Sequence, residues 1–516
     1  MNNISFTCSR YFVQILISFF FLSVFVVPLY AQFQFNPNCQ QAYRDIISLK
    51  FTTASVILQE EKTNNPKNLI PLYLENFRDF LSIYISEEDS LYFELKKKED
   101  ERLFRLAAGN PDSPFYLFCQ GQIAIQWAVL KFKFGDYTSG AMDMRKAYLL
   151  FSCNQERFPA FVPNNIGLGV IRVLAGIIPS KLQWIAGILG VEGSVEKGYT
   201  GIQNAAMYHG IDTISILYKP EAFFYLALIS ANLQKQKKNA LLLVHDFYSS
   251  DVYSEEQDSP LLLFARVSIL LKNGKNDEAL TLLQHRKTIP GSFPFYYLDY
   301  QNGDALLHKL DLNAKIHFLT YTRHFNGVNY IKSAYQRLAW IGLLKGDTIE
   351  YNLMMQKVIQ KGATQVDEDK QAIREAENGE IPSVMLLQAR LLFDGGYYNK
   401  ALHILLDNQV KDIVSSHKDL IEYTYRLGRI YHELGQIGKA LTYYELTIRR
   451  GKNESYYYAA NAALQMGLIY ENSGQNDKAT DAYRLCLSMN PEDYKNSLHQ
   501  KAKTGLNRIK NIKTKT

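Results

Sequence analysis

Apolar residues along most of this chain recur three and four positions apart, the spacing of one face of an α-helix, and they come in paired segments separated by glycine or proline. Near Asn38 the pattern predicts a helix carrying Ala42, Ile46, Leu49, Ala54 and Leu58, closed by Pro66. Ser113-Pro114 has the makings of a helix start, a capping serine ahead of a proline suited to the first turn. From there Trp127, Ala128, Gly135, Gly140, Met144 and Ala147 mark two helices and the turn between them. Further pairs follow around Ala227 and Ala240, Gly274 and Ala279, Ala314 and Phe318, and Ala339 and Gly346. The last third repeats most regularly. Ala401, Ala440 and Ala479 stand 39 residues apart, each preceded by a glycine turn at Gly396, Gly435 or Gly474.

Two stretches break this rhythm. Phe158–Gly201 is far more apolar than the remainder, with Arg172 and Lys181 its only charges between Ile166 and Val191. Each of its arms is about a dozen residues, roughly 18 Å at 1.5 Å per residue, too short for an apolar layer of about 30 Å. Val366–Glu380, in contrast, is polar and acidic, and reads as an inserted helix and loop with Asp369 near its start. Its acids lack the order of a calcium loop, which sets a central glycine well ahead of the closing glutamate. A third run, Ile85 to Arg102, alternates lysine and glutamate as an exposed helix face does.

The offsets of Trp127 through Ala147, namely 7, 8, 15, 20, 24 and 27 of a 34-residue unit, resemble those of a tetratricopeptide repeat. Small residues at 8 and 20 let two antiparallel helices touch, and large apolar residues wedge the next pair. The fold expected is all-α: a tetratricopeptide-like superhelix, or solenoid, with a central apolar helical hairpin. The segment GLGVIRVLAGIIPSKLQWIAGILGVEGSVEKGYTGI also resembles the signature of the tetratricopeptide-repeat-thirty-nine family, which includes the fungal inclusion body clearance proteins. Pro179 and Lys181, then Gly190 and Gly193, and Gly198 stand at the matching positions. Ile177-Ile178 before the proline and Val191 in the glycine turn depart from that pattern. The resemblance implies a helical-repeat architecture and a binding role without enzymatic activity.

The division expected is a signal peptide at 1–31, N-terminal repeats at 32–157 and the apolar hairpin at 158–201. Middle repeats follow at 202–365, the acidic insertion at 366–381, C-terminal repeats at 382–491, and a capping helix with a basic tail at 492–516. Phe12 to Leu29 forms the apolar core of an export signal, with a cut between Ala31 and Gln32. The alternative is an inner-membrane anchor formed by residues 12–29. Export places the chain in the periplasm or outer envelope of a Gram-negative-type bacterium.

Composition narrows the chemistry. Without Met1–Ala31, one basic residue fewer leaves 56 against 51, a net charge of +5 from the full chain's +6. No basic, aromatic-interleaved patch points to nucleic acid. Four cysteines, Cys39, Cys119, Cys153 and Cys486, are too scattered for a disulfide framework, and Cys119 and Cys153 are expected as two buried thiols. Metalloprotease, nucleophile-elbow and phosphate-loop motifs are absent. Ser194–Lys197, Ser415–Lys418 and Lys503-Thr504-Gly505 spell pieces of a penicillin-binding signature, but the last falls in a helix instead of on a sheet edge. No catalytic, cofactor-binding or metal-binding residue is assigned, and no cofactor.

The function expected is that of an exported non-catalytic scaffold holding a protein or peptide in its groove. The alternative is a membrane- or lipid-associated module that docks through the hairpin and basic tail. The hairpin residues assigned to interaction are Ile177, Ile178, Pro179, Leu182, Trp184, Ile185 and Ile188. They form either a buried brace on the concave side or an exposed apolar edge.

Overall fold

The computed structural model describes residues 31–178, 182–232, 237–249, 259–287 and 290–513. The expected signal core at 12–29 lies outside them. Among the described residues the fold is all-α, a helical-repeat solenoid. Two short bridges, Ala31 to Gly109 and Gln32 to Asn68, are its extended pairings. Contacts divide the chain into two units.

The first unit comprises Met1–Ile85, Asp89–Ala222 and Gly291–Phe293. Its helices are α1 (Pro37–Ile47), α2 (Phe51–Asn64), α3 (Ile70–Ser86), α4 (Asp89–Lys96), α5 (Lys98–Ala107), α6 (Pro114–Lys133), α7 (Tyr137–Arg157), α8 (Asn164–Gly176), α9 (Gln183–Leu189), α10 (Val195–Ala206) and α11 (Thr213–Leu217). The single helix expected from Asn38 onward is two. Leu49 adopts φ +59°, and the Ser48–Lys50 amides turn back to Arg44, Ile46 and Asp45, which ends α1. The α6–α7 pair keeps the expected seam. Trp127, Ala128, Met144 and Ala147 are buried, and a Cβ at Gly140 would lie 2.8 Å from the Phe132 ring.

The charged run is only in part the solvated face expected: Glu94, Lys97, Lys98, Asp100 and Glu101 are exposed. Glu99 and Arg102 are buried: Lys131 bridges Glu99 (2.8 Å) and Asp143, while Arg102 binds Asp79 (2.6 Å) and Asn76 (3.0 Å). Alternating charge gives no sign of which members meet partners on another helix, and here α3, α6 and α7 supply them. Of the thiols expected to be buried, Cys119 is and Cys153 is exposed; all four described cysteines are free.

The arms of the apolar stretch do not pack on each other as a simple hairpin. The first, α8, lies on α10, where a Cβ on Gly169 would come within 2.7 Å of the Gly198 carbonyl oxygen. The second, α9, lies on α7. The Gly190–Gly193 turn then packs its last glycine against the backbone at Ala175 and Gly176.

The second unit comprises Ser86–Glu88, Phe223–Pro290 and Pro294–Thr516, so the division falls within α12 (Lys219–Asn232). Helix pairs follow one another: α13 (Lys237–Tyr248), α14 (Pro260–Lys272) with α15 (Asn276–Gln284), α16 (Tyr297–Leu307) with α17 (Ala314–His324), and α18 (Ile331–Leu344) with α19 (Thr348–Gln360). The acidic insertion is α20 (Asp367–Asn378), ended by Gly379 at φ +67°. It is stitched onto α18: Asp369 accepts from the Tyr330 and Ser333 amides (2.6 and 2.8 Å), capping that helix from outside it. Glu375 accepts from Trp340 Nε1 (2.8 Å) and Gln336 Nε2 (2.6 Å).

Then come α21 (Val384–Asp394) with α22 (Tyr398–Leu406), the short α23 (Val410–Ile413), α24 (His417–Glu433) with α25 (Ile437–Gly451), α26 (Tyr457–Asn472) with α27 (Asn476–Ser488), and α28 (Lys495–Lys513). Three of these pairs are locked by a glycine on the first helix facing a large ring on the second. Gly303 faces Phe318, Gly428 faces Tyr444 and Gly467 faces Tyr483, all three rings fully buried. Gly121 and Phe151 repeat this lock in the first unit.

Candidate peptide-binding groove

The 39-residue spacing of the last repeats does more than align alanines. It carries Ala389, Gly428 and Gly467 to equivalent places, and so also the next residues, Arg390, Arg429 and Leu468. Because a helix turns about 100° per residue, a position one step from the seam faces the open side of the stack. Phe393, His432 and Glu471 form a second equivalent row, and Asp394, Glu433 and Asn472 a third. The first helices α21, α24 and α26, with α28 behind them, present these rows to a cavity of about 750 Å³.

Five cations line it, Arg390, Arg426, Arg429, Lys501 and Arg508, against three acids, Asp394, Glu433 and Glu471. Two of the arginines are committed. Arg426 forks onto Glu422, through Nε at 2.7 Å and through Nη2, and Tyr458 donates to the same carboxylate at 2.6 Å. Against the upward push of burial, these contacts hold the Glu422 carboxyl below its ordinary range. Arg508 forks onto Glu471 at 2.5 and 2.6 Å, which also fastens α28 to α26.

Arg390 and Arg429 are held differently. Arg390 lies over the Trp340 ring at 5.0 Å, and Arg429 over Phe393 at 5.0 Å. Their acids, Asp394 and Glu433, stand at 3.9 Å, beyond hydrogen-bond reach. Arg429 donates through Nη1 to the Tyr425 hydroxyl at 3.1 Å, which also accepts from Asn461 Nδ2 at 2.8 Å. Arg429 Nε is buried with no hydrogen-bond partner. The Arg390 guanidinium makes no hydrogen bond among the described residues. His432 adds no charge near neutral pH, since burial lowers its pKa. The groove is thus a positively biased, aromatic-floored channel with two guanidinium forks largely unspent.

The residues assigned from sequence lie elsewhere, in the first unit. Ile177 and Trp184 are exposed (52% and 47%), Ile178, Leu182 and Ile188 are half-buried, and Ile185 is buried. Pro179 lies outside the described residues. Nothing in the sequence separated the lone apolar stretch, easily seen, from the groove, whose signal is a row of equivalent positions 39 apart. The Ser194–Lys197 match is a helix cap: the Ser194 hydroxyl accepts from the Lys197 amide at 3.2 Å. Among the described residues no group of histidines, cysteines and acids could hold a metal, and no helix is long and apolar enough to cross a membrane.

The tetratricopeptide repeat family model matches residues 421–449 and 460–493, which are α24 with α25 and α26 with α27. Those residues are tetratricopeptide repeats. The first helices of both matched repeats, α24 and α26, contribute side chains to the cavity lining. No curated protein matches the chain. Among solved structures, the crystal structure of the APC/C hetero-tetramer Cut9-Hcn1 is similar over 91% of this chain and 97% of that one, at 14% identity and a TM-score of 0.24. The yeast Tom70 is similar over 85% and 97%, at 12% identity and a TM-score of 0.23.

Proposed function

We propose that this chain is an exported, non-catalytic scaffold that holds a segment of a protein partner in the groove of its C-terminal repeats. One observation carries the reading: equivalent side chains of successive repeats, Arg390 and Arg429 among them, line one cavity, and the acids nearest those two guanidiniums stand at 3.9 Å, beyond hydrogen-bond reach. An extended peptide spans such a channel and meets each repeat in turn. Export rests on the apolar run Phe12 to Leu29 and the Ala31-Gln32 junction. Recovery of the chain from a periplasmic or outer-envelope fraction with Gln32 as its first residue tests that part; an intact Met1 in the inner membrane contradicts it. The groove is tested by co-purification of the wild type and an Asn461→Trp variant, which fills the channel. A partner lost in the variant supports the reading, and a partner retained at equal yield contradicts it.

The exposure of Ile177 and Trp184 favours a second reading, docking of the apolar turn on a lipid surface. Flotation of the mature chain with liposomes, abolished by Trp184→Arg, is its test.

A further inference from the structure

We infer that the segment held in the groove is acidic, with its carboxylates received by Arg390 and Arg429. This rests on the groove reading above and names the chemistry that would fill it. The excess of cations over acids in the lining sets the sign of the potential. Pairing then identifies where that potential is available, because Arg426 and Arg508 are already neutralised by Glu422 and Glu471. Arg390 and Arg429 lie over the Trp340 and Phe393 rings, 5.0 Å from each ring centre, which holds each guanidinium in place while its outer N–H groups remain to donate. A planar guanidinium held over a ring suits a carboxylate, which accepts two parallel hydrogen bonds. Neither arginine meets Asp394 or Glu433 closely enough to form those bonds internally.

A peptide fits better than a nucleic acid. Asp394 and Glu433 would repel a continuous phosphate backbone, whereas spaced side-chain carboxylates avoid them. The Asn461 and Gln465 amides on α26, already linked at 3.1 Å, supply the donor and acceptor types that pair with an extended main chain.

A displayed library of random 12-residue peptides, panned on the full mature chain, provides the probe. The expected pool is rich in Asp and Glu. Its members bind roughly tenfold more weakly to Arg390→Gln or Arg429→Gln, and more weakly to Arg429→Lys, which keeps the charge and loses the fork. Unchanged circular dichroism melting of each variant separates lost binding from lost folding. A pool whose binding is lost in Asn461→Trp yet which is neutral or basic overturns this inference and leaves the groove reading standing. A pool indifferent to Asn461→Trp, or no pool, overturns both.

Discussion

Gly467 on α26 is the sharpest point at which to perturb the repeat lock. An alanine Cβ there would lie 2.5 Å from Tyr483 Cε1 and 2.6 Å from Cδ1, about an ångström inside ordinary contact. The ring has nowhere to go. On its other edge a Cβ at Gly505 of α28 would come within 2.4 Å of Cε2, and the hydroxyl is fixed to Glu471 at 2.5 Å. Overpacking of this kind costs about 1–3 kcal/mol. Alanine is favoured over glycine within a helix by about 0.5–1 kcal/mol, which offsets part of that. Gly467→Ala is therefore expected to destabilise the terminal repeats by about 1–2 kcal/mol, equivalent to roughly 5- to 30-fold more frequent opening. Hydrogen exchange of amides in α26–α28 reads that opening locally, without needing the whole chain to unfold in one step. Adding Tyr483→Leu, which removes the opposing ring edge, is expected to make the alanine less harmful than in the wild-type background. Gly438→Ala is the control, since a Cβ there meets nothing within 4 Å, and exchange is expected unchanged or slower. Unchanged or slower exchange in Gly467→Ala itself would refute the lock.

Four further outcomes follow from particular side chains. Burial pushes the Asp369 carboxyl up to about 6 from 3.8. Folding therefore takes up a proton there: the group's contribution is complete below about 4 and is lost as pH rises through 6, with a slope of up to about 1.4 kcal/mol per pH unit. Asp369→Asn should flatten the pH 4–7 dependence of hydrogen exchange in α18, and an unaltered slope would contradict this. Trp127 and Trp340 are 1% and 2% exposed against 47% for Trp184, so acrylamide should quench mainly the emission lost in Trp184→Phe; equal quenching of the remaining emission would count against it. Of the four described cysteines, Cys153 should react first with a maleimide, because burial raises the Cys119 thiol and takes Cys39 and Cys486 to about 12. Peptide mapping that finds Cys119 labelled as fast would sink that expectation. Arg508→Ala should speed exchange in α28 severalfold through loss of the fork to Glu471, and less so in high salt.

Much of the fold is legible in the sequence because one physical rule writes it repeatedly. Two helices that cross closely need a small residue opposite a large one, so Gly428 with Tyr444 and Gly467 with Tyr483 recur at a readable interval. Glycines at positive φ, such as Gly435 and Gly474, mark the turns for a similar reason. What the sequence hides is which polar residues find partners on other helices. Glu99 and Arg102 sit in a run that looks solvated, yet Lys131 and Asp79 draw them inside. Asp369 looks like one acid among many and is the outside cap of α18. The groove was half legible. The spacing that exposes Arg390 and Arg429 as equivalent is visible in the chain, while the stacking that leaves their forks unspent exists only after Trp340 and Phe393 have been folded beneath them. The apolar stretch misled in the opposite way. Its low charge suggested burial on several sides, which holds for α8, where Ile166, Leu168, Ile171 and Val173 are buried, but the seven residues of α9 bury only Ile185 and Leu189.

Photo-crosslinking in the living cell tests the central claim most directly. A benzophenone amino acid at Gln465 in the groove is compared with the same group at Thr442, exposed on α25. The expected result is a discrete adduct to one partner from position 465 and none from 442, the adduct mapping to an acidic segment of that partner. Adducts of equal yield from both positions, or from 442 alone, would contradict a scaffold that works through this groove.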